Sequence, residues 1–171
     1  KTLGIIGMGR IGQAVAKRAT GFEMRIIYYN DSSLSQTLAF EAREVTLKTL
    51  LQEADIITLH LPLTKETFHL ISKEEFALMK ESAVLINTSR GAVIEEKELI
   101  KALKTKRIFA AGLDVYENEP DIPQELLALE NVVLLPHIGS ASIETRTKMA
   151  LLAAENAIAV MEGKEPPAKV N

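Results

Sequence analysis

The sequence contains no cysteine, so disulfide bridges and thiolate zinc sites are excluded. Its three histidines, His60, His69 and His137, lie far apart in the chain, which argues against zinc-dependent alcohol oxidation; no metal site is expected. No apolar run approaches the roughly 20 residues that cross a membrane, and the N-terminus lacks the charged-then-apolar pattern of a secretory signal. No membrane partner is therefore expected, and a cytoplasmic location fits. An excess of one charge is also lacking. The 20 Lys and Arg are interleaved with 23 Asp and Glu for a net charge of −3, which leaves no basic field to attract nucleic acid.

What is present is apolar material, 47% of 171 residues, enough for one sizeable core. Short β-branched runs alternate with helical patterns, the signature of βαβ units. The pattern predicts strands at 3–6, 25–29, 56–61, 83–87, 108–113 and 132–135, with a short one near Val45, and helices at 11–20, 47–53, 73–79 and 95–104. This is an α/β, Rossmann-like doubly wound parallel sheet. Ser72 with Glu75 predicts a capping box. The acidic stretch 117–123, with two prolines, reads as a loop after a strand. Beyond Pro136 the pattern becomes one long helix, 142–161, ended by Gly163. The chain thus divides into a dinucleotide-binding domain, 1–138, and an appended helix and tail, 139–171.

Gly7-Met8-Gly9-Arg10-Ile11-Gly12 follows the first strand and opens a helix. In that setting Gly7 permits the tight turn, Gly9 lets the backbone approach a pyrophosphate, and Gly12 lets helix and strand pack closely. The helix N-terminus offers free amides and a partial positive charge, and Arg10 a further contact. The second strand ends at Asn30-Asp31, about 23 residues past Gly7, where an acid would bond the adenine ribose and repel a 2′-phosphate. Asn30 holds the position expected of the acid and Asp31 is its neighbour. NAD is expected ahead of NADP; the alternative is that Asn30 and Asp31 only make a turn with Ser32 and Ser33.

Five segments then carry a resemblance. The glycine loop, Leu59-His60-Leu61-Pro62-Leu63-Thr64-Lys65-Glu66-Thr67, Asn87-Thr88-Ser89-Arg90-Gly91, Gly112-Leu113-Asp114-Val115-Tyr116-Glu117-Asn118-Glu119-Pro120 and Pro136-His137-Ile138-Gly139-Ser140 resemble, in order, the motifs of the D-isomer-specific 2-hydroxyacid dehydrogenases. Tyr28-Tyr29, the Leu-Pro-Leu-Thr segment and the Pro-Pro-x-x-Val-Asn ending look most like the glyoxylate/hydroxypyruvate reductase branch; a phosphoglycerate dehydrogenase-like enzyme shares the same motifs. The resemblance implies that Arg90 grips the carboxylate of a small 2-keto or 2-hydroxy acid. His137 would exchange a proton with the carbonyl oxygen, and Glu119 would hold His137, since a neighbouring carboxylate favours the protonated ring. Asp114 would fix the nicotinamide, with Leu61, Pro62, Thr67, Thr88, Gly139 and Ser140 lining the cofactor.

The family also carries a long segment before its glycine loop, forming most of a second, substrate-closing domain. The chain is therefore expected to be a cofactor-binding fragment, largely inactive alone, whose tail returns to that domain in an intact homodimer. Taken singly, Arg90 could be a surface ion pair, Glu119 one more loop acid, and His137 an ordinary loop residue. His60 reads as a strand-end residue near the cofactor and His69 as a packing or turn residue. An NAD-sensing interaction protein on the same fold is the alternative of another class.

Overall fold

A computed structural model of the chain describes residues 1–31, 34 and 37–169, which leaves Ser32, Ser33, Ser35, Gln36 and the Val170-Asn171 ending outside the described residues. The chain forms two compact units, Lys1–Pro136 and His137–Asn171.

The first unit is built on a seven-stranded parallel sheet. Its strands are β1 (Thr2–Ile6), β2 (Arg25–Tyr29), β3 (Arg43–Glu44), β4 (Ile56–Leu59), β5 (Val84–Asn87), β6 (Ala110–Leu113) and β7 (Val132–Leu134), in the order β3-β2-β1-β4-β5-β6-β7. Its helices are α1 (Arg10–Ala19), α2 (Leu47–Glu53), α3 (Lys73–Leu78), α4 (Glu96–Lys104) and α5 (Gln124–Leu127). The helix α5 is a single turn that carries no apolar period and was not expected. The strand near Val45 forms one residue earlier, although the Val45 amide still donates to the Tyr28 carbonyl at 2.9 Å. The strand expected at 56–61 stops at Leu59, because the chain leaves the sheet to form the loop that begins at His60.

Alternation along β1 divides the core. Leu3 and Ile5 pack with Ala16 and Ala19 of α1 and with Ile26 and Tyr28. Ile6 points the other way, into the larger cluster with Leu50, Leu51, Phe76, Leu99 and Leu103 of α2, α3 and α4. Gly4 shares that second face, where a Cβ would lie 2.7 Å from Leu50 and 2.8 Å from Ala54, so α2 packs directly on the strand backbone. Leu50 and Leu51 are fully buried; truncating such a residue to alanine costs about 2–5 kcal/mol. The Glu75 carboxylate accepts from both the Ser72 amide (3.0 Å) and hydroxyl (2.7 Å), which fixes the start of α3.

The second unit holds α6 (Ile143–Met161), capped by Ser142, whose Oγ accepts from the Thr145 amide at 3.2 Å, and ended by Gly163 at φ 69°. None of the α6 residues is buried; Met149, Leu152, Ile158 and Met161 are all exposed. Among the described residues no helix is long and apolar enough to cross a membrane.

Candidate functional site

Strand register aligns the ends of the strands. Tyr29, Ile6, Leu59, Asn87, Leu113 and Leu134 pair in turn across β2, β1, β4, β5, β6 and β7. The residues that follow them, Asn30, Gly7, His60, Thr88, Asp114 and Leu135, all leave the sheet at its carboxyl edge. In open α/β sheets ligands bind outside that edge where the strand order reverses, here between β1 and β4. At about 4.8 Å per strand, the line from Asn30 to Asp114 is about 19 Å long.

The glycine loop is shaped by two constraints and one space. Gly7 has φ 96°, and a Cβ there would sit 2.5 Å from the His60 carbonyl oxygen. A Cβ on Gly12 would be driven into the Gly7 carbonyl. Gly9 differs: it opens α1 in extended conformation (φ −75°, ψ −164°), and a Cβ there meets nothing within 4 Å. Among the described residues no side chain caps α1, and no acid lies in its first turn, where Arg10 and Ile11 are exposed, Ile11 at 65%. An uncapped helix N-terminus facing open space suits a pyrophosphate. Asn30 accepts from the Met8 amide through Oδ1 at 2.7 Å and so holds the glycine loop, a role the sequence did not announce. Asp31 beside it is exposed.

After β4, Leu61 is half-buried and Pro62 exposed. The Thr67 hydroxyl donates to the Pro62 carbonyl at 2.7 Å and accepts from the Thr64 amide at 2.8 Å, folding this loop on itself. The half-buried His60 ring places Nε2 3.0 Å from Thr58 Oγ1, and burial holds its pKa below the usual histidine range.

After β5, the buried Asn87 shapes the loop that carries Arg90. Its Nδ2 donates to the Arg90 carbonyl at 2.9 Å, and its Oδ1 accepts from the Ser89 amide (3.0 Å) and hydroxyl (2.8 Å). Arg90 itself is exposed, with Nη1 donating to the Ser89 carbonyl at 2.7 Å. After β6, Asp114 is buried and its amide donates to the Asn87 carbonyl at 3.0 Å. Tyr116 donates from its hydroxyl to the Leu135 carbonyl (2.8 Å) and from its amide to Glu119 Oε1 (3.0 Å). Burial raises the Tyr116 phenol pKa, and the Asp114 charge adds to that, so its hydroxyl stays a donor.

A cavity of about 340 Å³ lined by Ile86, Thr88, Gly112, Asp114, Val133 and Leu135 brings Thr88 and Asp114 together. Gly7 to Gly12, Asn30, Leu61, Thr88, Arg90, Asp114 and Glu119 thus sit at or beyond one sheet edge. His137, Gly139 and Ser140 belong to the second unit. There His137 has φ 53°, a left-handed conformation that non-glycine residues adopt at a cost of order 1 kcal/mol. Sequence reasoning missed Asn87, although asparagine at a strand end ahead of serine is a turn signal. It also missed Tyr116, Glu96 and Glu117, which no period or spacing marks.

Residues 1–139 match the family described as D-isomer specific 2-hydroxyacid dehydrogenase, NAD binding domain. A glyoxylate reductase from Thermococcus litoralis is 57% identical over 177 residues, covering 100% of this chain and 52% of that protein. The crystal structure of a glyoxylate reductase from Paecilomyes thermophila superposes with a TM-score of 0.93 at 44% identity, covering 99% of this chain and 52% of that one. An NADPH-dependent glyoxylate/hydroxypyruvate reductase from Sinorhizobium meliloti, solved with NADP and malonate, gives a TM-score of 0.88 at 36% identity, covering 93% and 49%. The chain spans about half the length of the curated relatives it matches.

Proposed function

The chain belongs to the D-isomer-specific 2-hydroxyacid dehydrogenase family, and we propose that it is the NAD-binding part of a reductase converting a 2-keto acid, glyoxylate or hydroxypyruvate foremost, into the D-2-hydroxy acid. The observation that carries this reading is the shared register row. It sets an acid-free helix N-terminus at Gly9, a forked cation on the Arg90 loop and a carboxylate at Asp114 along one sheet edge.

Bound NADH supplies the hydride that adds to the keto carbon. The α1 amides and Arg10 hold the pyrophosphate. Arg90 grips the substrate carboxylate and carbonyl oxygen with parallel N–H donors, a geometry lysine does not offer. His137 gives a proton to the carbonyl oxygen, so that hydride and proton together turn C=O into CH–OH; in the reverse direction it takes the hydroxyl proton. Glu119 is assigned, by the family resemblance, the task of orienting the His137 ring. Asp114 orients the nicotinamide carboxamide, and Leu61, Pro62, Thr67, Thr88, Gly139 and Ser140 line the cofactor. NAD is preferred to NADP because the exposed Asp31 carboxylate beside Asn30 repels a 2′-phosphate.

The relatives are about twice as long, and the opposite wall of the substrate site is assigned to the rest of the whole protein, toward which residues 139–171 lead. The same proposal includes a cytoplasmic homodimer, for which the exposed apolar residues of α6 offer surface. The test is the full-length protein with NADH and a panel of 2-keto acids. Turnover of glyoxylate or hydroxypyruvate with formation of the D-hydroxy acid is expected. NADH binding without turnover on any member of the panel would refute the reading and favour an NAD sensor.

A further inference from the structure

Two loops carry the proposed chemistry, the one after β5 with Arg90 and the one after β6 with Asp114 and Glu119, and side chains outside that chemistry join them. The Glu117 amide donates to Glu96 Oε1 at 3.2 Å, and the Glu96 amide donates to Glu117 Oε2 at 3.3 Å, a reciprocal pair between the loop after β6 and the first residue of α4, where the loop after β5 ends. The other Glu117 oxygen lies 3.0 Å from His69 Nε2, while the His69 amide donates to the Ala92 carbonyl at 2.8 Å. Between these bonds the backbones close to contact: a Cβ on Gly91 would collide with the Tyr116 carbonyl and lie 2.5 Å from the Glu117 nitrogen. The connection continues to the site, because the Tyr116 amide next to Glu117 holds the Glu119 carboxylate at 3.0 Å.

The arrangement is costly as packing alone. Glu96 is 8% exposed, and burial pushes its carboxyl above the ordinary glutamate range, offset in part by the Glu117 amide. His69 is held at φ 52°, outside the regions a non-glycine residue prefers. Burying the Glu96 carboxylate and straining the His69 backbone here yields a fixed separation between the Arg90 and Glu119 loops.

We infer that Glu117, clamped by His69 and Glu96, is a positioning residue that sets the distance between Arg90 and Glu119. The inference rests on the reading of Arg90 and Glu119 given above. Displacements near 1 Å in such a site cost about a hundredfold in rate, so Glu117→Ala in the full-length protein should lower kcat/KM for glyoxylate by about 10- to 100-fold, with the NADH Kd within twofold. Glu117→Gln keeps one oxygen for the Glu96 amide and should recover most of the loss. Hydrogen exchange followed by mass spectrometry reads the clamp without turnover: Glu117→Ala should speed exchange in 88–96 and 114–119 and leave 1–20 unchanged. Unchanged kcat/KM, unchanged exchange in those segments, or NADH affinity lost in step with activity would each overturn the inference. A wild-type protein that reduces no keto acid removes the reading of Arg90 and Glu119 instead, and the exchange arm still decides whether the clamp exists.

Discussion

Replacing Gly9 by alanine separates what the fold needs from what a ligand needs. Gly9 has backbone angles open to any residue and empty space where a Cβ would go. Alanine there restricts the unfolded chain, worth about 0.4–1 kcal/mol of stabilisation. It also replaces glycine at a helix N-cap, where alanine is less favoured by a similar amount. The two effects offset, and at roughly 2–4 °C per kcal/mol for a chain of this size the Tm should stay within about 3 °C of wild type. Dinucleotide binding should respond differently, because the methyl occupies the approach of the pyrophosphate to the backbone. Losing one amide bond to a charged phosphate costs about 1.5–3 kcal/mol, which weakens NADH binding by about 10- to 150-fold. Gly12→Ala is the contrasting variant. Its Cβ meets the Gly7 carbonyl, and overpacking of about 1–3 kcal/mol should lower the Tm by roughly 2–12 °C. Thermal unfolding by circular dichroism and titration of nucleotide fluorescence measure both quantities. A Gly9→Ala chain that binds NADH and NADPH within twofold of wild type, at unchanged Tm, would refute the placement of the pyrophosphate.

Arg90→Lys in the full-length protein should reduce kcat/KM for a 2-keto acid by about 10- to 150-fold through loss of one charged hydrogen bond, with the NADH Kd unchanged; equal loss of both would point to misfolding. His137→Ala should lower kcat by about 10² to 10⁴, the usual contribution of a general acid, and wild-type turnover would remove it from that role. Asp55 ties β1 to β4 and β5: its Oδ2 accepts from the Thr2 amide at 2.8 Å and its Oδ1 from Lys80 Nζ at 2.9 Å. The Thr2 amide first, then Lys80, hold its carboxyl below the ordinary aspartate range. A depressed folded-state pKa contributes stability that is complete above the unfolded value and lost as pH falls through the folded one. Asp55→Asn should therefore be less stable by about 2 kcal/mol at neutral pH, roughly 4–8 °C in Tm. That gap should close below about pH 4, and a constant gap down to pH 3 would contradict the assignment.

The sheet was legible because its signals are local. β-Branched runs and the glycine loop fall where the strands and the β1–α1 turn form, and Ser72 with Glu75 starts α3 as their spacing implies. Strand ends were less legible, since Leu61 continues the apolar alternation of Ile57 and Leu59 although the chain has already turned out of the sheet. Arg90 and Glu119 stood out only through resemblance. The residues that hold their loops, Asn87, Tyr116, Glu96, Glu117 and His69, stayed silent because partners such as His69 and Glu117 are 48 positions apart and no periodicity links them.

The same structure sorts edge residues by what explains them. Gly7 and Gly12 are required by the fold itself, through a positive φ at one and a carbonyl against the missing Cβ of the other. Asn87 is likewise accounted for by its bonds to Ser89 and Arg90. Gly9 is not, since alanine fits it. Nor is Ile11, whose apolar side chain is 65% exposed in the first turn of α1, where folding gains little from it. Residues whose identity folding leaves unexplained lie together on the uncapped end of α1, beside the strand-order reversal. A bound dinucleotide is what would give Gly9 its need for empty space and Ile11 its cover, and the contrast between Gly9→Ala and Gly12→Ala measures that need directly.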